Sequence, residues 1–269
     1  MLVDAHHHVW QLARGDYGWL TPDLLIHRDY VLDDLRPLLG DITATVLVQA
    51  APTEAETAFL LDVARASNEL VRGVVGWADL TEPDHIAALA ADKQLKGLRP
   101  MLEDIAETEW ILRPELEPAL RNMASAVLRF DALIQPRHLR TMLRLCERHP
   151  DLPIVIDHAA KPDIAHRVFE PWGAEIALVA KETSAFCKLS GLVTEAASDW
   201  QIGDLRPYVD HLLETFGPSR LMWGSDWPVV NLAGGYEGWR SATMSLLGSP
   251  QASAHAAILG GTAARFYGF

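Results

Sequence analysis

The stretch "LVDAHHHVW", residues 2–10, decides how the rest of the chain is read. Its first half is apolar enough for a buried strand, and its second half sets His6, His7 and His8 in a row two residues after Asp4. Side chains alternate along a strand, so Asp4, His6 and His8 are expected on one face and His7 on the other. An affinity-tag origin fits poorly, because the run has only three histidines and an apolar strand leads into it. Two imidazoles on one face of a strand end can hold one cation, at ~2.0–2.1 Å for zinc.

Seven further stretches share the short, apolar, turn-bounded character of a strand. They are "ATVLVQ" from Ala44, "VRGVVGW" from Val71, "KGLRP" from Lys96, "RFDALI" from Arg129, "PIVIDH" from Pro153, "FCKLSG" from Phe186 and "RLMWGSD" from Arg220. Several are apolar on both faces, as strands of a covered parallel sheet must be. Amphipathic stretches fill the gaps; "EAETAFLLDVARASN" from Glu54 gathers Phe59, Leu60, Val63 and Ala64 on one helical face. Strands alternating with helices predict the α/β class and a single (β/α)8 TIM barrel, one domain over residues 1–269. The first strand is followed by a long segment, about residues 9–37, with one short helical pattern near its end. Loops of that length are commonly lids or binding loops, and in a barrel they open on the C-terminal face, where active sites sit.

Composition narrows the partners. With 49% apolar and 22% charged residues the chain reads as an ordinary globular protein. A formal net charge of −13 argues against nucleic acid and anionic membranes, both of which call for a basic footprint. Cys146 and Cys187 form no CxxC pair, which fits a reducing compartment. No signal peptide or bilayer-spanning run is read, so a cytoplasmic location and a small-molecule partner are expected. Homo-oligomer formation is left open.

Polar residues gather at the strand ends. Gln49 closes the second strand, Arg99 the fourth, Asp157, His158 and Lys161 the sixth, and Asp226 the eighth. Each has a dull explanation alone, as a surface charge, a turn or a cap. Their common placement matters, because a barrel delivers all of them to one mouth. In the segment after the first strand, Trp10, Tyr17 and Trp19 are aromatic loop residues, expected to offer ring faces on which a bound ring can stack.

"DAHHHVW", "DHAAKP", "LMWGSDWP" and the terminal "GGTAARFYGF" together resemble the amidohydrolase superfamily. More narrowly they resemble its amidohydrolase-2 branch of TIM-barrel lactonases, which act on sugar and pyrone lactones. The likeness runs from Asp4 to Phe269 in the expected order. The HxH element alone is weakly specific; HxH, DHxxKP and GSDWP in series are specific.

The resemblance implies catalytic roles for Asp226, His158, His6 and His8. Asp226 takes a proton from water and returns it to the leaving oxygen, His158 stands near the attacking water or the carbonyl oxygen, and His6 and His8 polarise the carbonyl or hold a cation. Arg99, Gln49, Trp19 and Lys161 are expected to bind substrate. Strand five ends near Ile134 and Gln135 without a ligand, and His138 falls beyond it, so a dinuclear site is not expected. The resemblance implies either no required cofactor or one divalent cation, zinc first, on His6, His8 and Asp226. The activity implied is hydrolysis of a lactone, a sugar aldonolactone before a pyrone dicarboxylate. The rivals are a metal-dependent decarboxylase of the same branch and a non-catalytic sugar-acid-binding barrel.

Overall fold

The computed structural model describes residues 1–248 and 252–269. Eight strands lie in one sheet in sequence order: β1 (Val3–His7), β2 (Ala44–Val48), β3 (Val71–Gly76), β4 (Leu95–Leu98), β5 (Arg129–Ala132), β6 (Ile154–Ile156), β7 (Phe186–Leu189) and β8 (Leu221–Trp223). All seven neighbouring pairs are parallel. Every strand expected from sequence is present. A parallel neighbour requires a crossover, and helices supply it. They are α1 (Leu32–Leu35, one turn), α2 (Glu54–Ala66), α3 (Pro83–Leu89), α4 (Glu117–Ser125), α5 (Leu139–Arg148), α6 (Trp172–Glu182), α7 (Ile202–Phe216) and α8 (Gly235–Leu247), with α9 (Ala252–Ala256) and α10 (Thr262–Tyr267) closing the chain. No helix among the described residues is long and apolar enough to cross a membrane.

The sheet curls until β8 meets β1. The seam is held by Asp226 N–H donating to the His6 carbonyl at 2.8 Å and His8 N–H donating to the Trp227 carbonyl at 2.7 Å. Asp4 Oδ1 adds acceptance of the Ser225 N–H at 2.8 Å. Two apolar cores result. The larger lies between strands and helices. The smaller fills the barrel floor with Val3, Ala5, Val46, Val48, Val155 and Met222, and α10 plugs it from below with Phe266 and Tyr267.

One local feature overturns the expected parity of β1. Asp4 pairs with Thr45 and His7 with Leu47, so three steps on β1 match two on β2. This bulge flips the side-chain alternation between Ala5 and His6. Val3 and Ala5 face the floor core, Asp4 turns away to the β8 backbone, and His6 comes back inward. Asp4 therefore does not share a face with His6 and His8. His7 does point away from them, to Thr45 Oγ1 at 2.9 Å. The inward swing of His6 needs room opposite: a Cβ on Gly224 would lie 2.6 Å from the His6 Cβ.

Candidate active site

The strand ends bring His6, His8, His158 and Asp226 together. His6 Nε2 and His8 Nε2 are 3.3 Å apart. Asp226 Oδ1 lies 3.7 Å from His6 Nε2, 3.4 Å from His8 Nε2 and 3.8 Å from His158 Nε2. All four side chains are buried. His158 reaches its position through a turn after β6 in which His158, Ala159, Ala160 and Lys161 all adopt left-handed backbone, with φ of 51°, 51°, 60° and 51°. Non-glycine residues pay for this conformation, and such strain is characteristic of functional sites. Gly191 is required beside it, since a Cβ there would lie 2.6 Å from His158 Nδ1.

Electrostatics separate the four groups. Burial pushes the Asp226 carboxyl up, but the charge of His158, the hydrogen bond from His8 and the charges of His6 and His8 outweigh it. The carboxyl is held well below the usual range and is ionised at neutral pH. Burial pulls the His158 and His6 imidazoles below their ordinary value. The result is one buried carboxylate ringed by three imidazoles.

A cavity of about 260 Å³ opens over this cluster. That is near the small end of ligand sites, ~300–1,000 Å³, and suits a single ring. His8, His158, Asp226, Arg99, Lys161 and Trp19 all border it, together with Glu103, Asp104 and Glu195. Lys161 Nζ pairs with Glu103 Oε2 at 2.5 Å. Trp19 is 38% exposed, so it offers a ring face to the cavity, while its Nε1–H donates to the Ala50 carbonyl at 2.7 Å.

Other expected residues take different places. Gln49 is fully buried and does not border the cavity; its amide donates to the Arg99 carbonyl at 2.9 Å, which braces the end of β4. Trp10 and Tyr17 are also buried and offer no face to a sugar. Trp10 instead packs edge-on against Trp19 at 5.4 Å and against Tyr30 at 5.4 Å, and Tyr30 packs on Trp227. This aromatic chain ties the long first loop to the end of β8. His6 is wholly buried and stands behind the cavity wall. His138 closes a short turn before α5, away from the cluster.

Four participants escaped sequence reading. Glu103, Asp104 and Glu195 lie on loops after β4 and β7, where no periodicity marks a direction. Lys188 lies in mid-β7 with its side chain 0% exposed. Its signal was a lone lysine inside a strand apolar on both faces.

The donor set fits one cation. Zinc with ~2.0–2.1 Å bonds in a tetrahedron spaces its ligands ~3.3–3.4 Å apart. The three separations among His6 Nε2, His8 Nε2 and Asp226 Oδ1 are 3.3, 3.4 and 3.7 Å. His8 is suited as well: Nδ1 lies 2.8 Å from the Val48 carbonyl, which only accepts, so the neutral ring would turn an Nε2 lone pair toward a cation. A second group, His6, Asp157 and His158, shares His6 with the first.

No serine or cysteine borders the cavity, and Ser190, 2.8 Å from His158 Nδ1, is buried behind the ring. A barrel mouth with a carboxylate among imidazoles, no serine or cysteine among its described lining residues, and the Thr194 hydroxyl donated to the Gly191 carbonyl at 2.7 Å fits a hydrolase that activates water. The sequence comparison agrees: the model of the amidohydrolase family Amidohydro_2 matches residues 3–269, and the chain belongs to that family. It is 44% identical to an L-fucono-1,5-lactonase of Burkholderia ambifaria, over 98% of this chain and 94% of that one. It is 35% identical to an L-fucono-1,5-lactonase of Burkholderia multivorans, over 98% and 95%. A crystal structure of a Burkholderia multivorans amidohydrolase with bound zinc superposes with a TM-score of 0.93 at 34% identity, covering 99% of each chain.

Proposed function

We propose that this protein opens a neutral sugar-acid lactone, L-fucono-1,5-lactone first among them, by base-assisted attack of water. The observation that carries the reading is the commitment of both cavity cations. Arg99 spends Nη2 on the Gln49 carbonyl and holds Nη1 3.4 Å from His6 Nε2 and 3.5 Å from Asp157 Oδ2. Lys161 is paired with Glu103. Four acidic side chains, Glu103, Asp104, Glu195 and Asp226, share the wall with them. A pyrone dicarboxylate would bring two anions to a cavity whose two lining cations, Arg99 and Lys161, are each already offset by a carboxylate. A polyol ring brings hydroxyls, which carboxylates bind well and orient. The lactonase relatives support the same class.

In this reading Asp226 removes a proton from water as the water oxygen bonds to the lactone carbonyl carbon. A positioned base contributes ~10²–10⁴-fold. The oxyanion so formed lies within reach of His158 Nε2–H, the tautomer present when Ser190 Oγ–H donates to Nδ1, and of the Lys161 ammonium. As the ring carbon–oxygen bond breaks, protonated Asp226 returns its proton to the departing oxygen, leaving a hydroxy acid. His8 and His6 hold Asp226 in place. A zinc ion held by His6, His8 and Asp226 would supply Lewis-acid polarisation of the carbonyl.

The test is a pH-indicator assay of aldonolactones, including L-fucono-1,5-lactone, against a pyrone dicarboxylate, on metal-free and zinc-loaded protein. Acid release from the aldonolactones is expected. Turnover confined to the dicarboxylate would overturn the substrate class, and carbon dioxide release from aromatic acids would overturn the reaction.

A further inference from the structure

We infer that Glu195 drives product release: an unpaired carboxylate on the cavity wall, it admits the neutral lactone and repels the hydroxy-acid anion made from it. This deepens the proposed function and rests on it. The reaction changes the charge of what the cavity holds. A lactone and a water molecule are both neutral. Water adds to the carbonyl carbon, the ring carbon–oxygen bond breaks, and Asp226 passes the water proton to the departing oxygen. The carboxylic acid left beside Asp226 then gives its own proton to solvent. A carboxylate therefore stands where the lactone carbonyl stood, next to an Asp226 that is ionised again.

The wall offers this anion little. Lys161 Nζ is already 2.5 Å from Glu103 Oε2, and Arg99 Nη1 is 3.5 Å from Asp157 Oδ2. Against those two cations the lining sets Glu103, Asp104, Glu195 and Asp226. Glu195 differs from Glu103 in having no counter-charge. It is half-buried after β7 and, among the described residues, forms no ion pair and no side-chain hydrogen bond. Its neighbour Thr194 gives its hydroxyl to the Gly191 carbonyl at 2.7 Å, and its own carbonyl accepts the Ala165 N–H at 2.9 Å, which fixes the backbone. Burial pushes the Glu195 carboxyl up, the Lys161 charge pulls it back, and the charges of Glu103, Asp226 and Asp163 push it up again. Glu195 and the proposed base thus lie in each other's field. Salt screens a half-buried charge less than an exposed one. Like charges ~10 Å apart at an effective dielectric of ~20 change an affinity ~10–20-fold. A neutral ring escapes this repulsion, and its hydroxyls can donate to the same carboxylate.

The experiment titrates metal-free protein calorimetrically at about pH 8, because a cation on Asp226 would itself attract the anion. The two probes are L-fuconate, the anion of the opened lactone, and L-fucitol, its uncharged counterpart. E195Q removes the charge and keeps an acceptor oxygen. It is expected to bind L-fuconate ~10–20-fold tighter than wild type, and L-fucitol within about threefold of it. E195D keeps the charge and should stay near wild type for both. Wild-type affinity for L-fuconate should rise between ~20 and ~300 mM salt as screening lifts the repulsion, and less so in E195Q. A merely structural role would move both ligands alike. Equal tightening of both, or L-fuconate binding no tighter in E195Q than in wild type, undetected binding in both included, would overturn the inference. Should E195Q fail to fold, the wild-type salt series decides, and an L-fuconate affinity that stays flat or falls with salt overturns it. If wild type opens no lactone, the proposed function falls, and the same titrations still show whether Glu195 sorts ligands by charge.

Discussion

The proposed base is a single carboxylate, Asp226, and its substitution is the sharpest residue-scale test. D226N keeps the shape and removes the base, so the lactonase rate should fall by ~10²–10⁴-fold or more with the thermal midpoint little changed. A rate within tenfold of wild type would remove Asp226 from the role. Lys161 is tested by K161M. Loss of a charge-assisted hydrogen bond costs ~1.5–3 kcal/mol, or ~10–100-fold in kcat/KM. A loop brace without substrate contact would instead lower stability and spare kcat/KM. Asp226, His158, His6 and His8 were legible because a strand end fixes where a side chain goes once the barrel is assumed. Gln49 satisfied the same rule yet turned to a backbone carbonyl, since an amide can meet a local partner that the sequence does not display. Glu103 and Glu195 had no strand to give them direction.

At the scale of elements, the strands were readable from continuous apolar runs and the helices from their apolar stripes. Helix α8 was not recognised, because Gly234, Gly235 and Gly238 obscure its start and interior. The β1 bulge was also invisible, because it depends on register against β2 and on the space left by Gly224 across the seam. The turn from β2 into α2 carries a testable device. Thr53 Oγ1 caps α2 by accepting the Glu56 N–H at 3.0 Å, and the Glu56 carboxylate accepts N–H groups of Ala50 and Ala51. Burial still pushes that carboxyl up to about 7. A carboxyl raised on folding stabilises fully below its unfolded value, about 4.3. Its contribution is lost as pH rises through about 7. E56Q removes this loss. Urea unfolding from pH 4.5 to 8 should therefore show the variant gaining on wild type by ~3 kcal/mol. A pH-independent difference would mean the amide donors keep Glu56 ionised throughout.

For the whole molecule, the decisive fact is where the barrel closes. Strands β1 and β8 join through a few bonds at the mouth, and those bonds join the backbone of His6 and His8 to that of Asp226 and Trp227. Closure and site assembly are therefore one event, which explains how residues from opposite ends of the chain reach sub-4 Å separations. Asp4 is the clasp: its Oδ1 accepts the Ser225 N–H at 2.8 Å and the His6 N–H at 3.2 Å, tying both sides of the seam from the outer face. D4A should leave those buried donors unpaired, at a cost of ~1–3 kcal/mol in chemical unfolding. If the seam also sets the distance from Asp226 to His8, kcat per folded molecule should fall as well. D4N keeps an oxygen at the same place and should recover most of both. A D4A protein that loses stability but keeps wild-type kcat would separate closure from catalysis and show that the mouth holds its geometry by side-chain contacts alone.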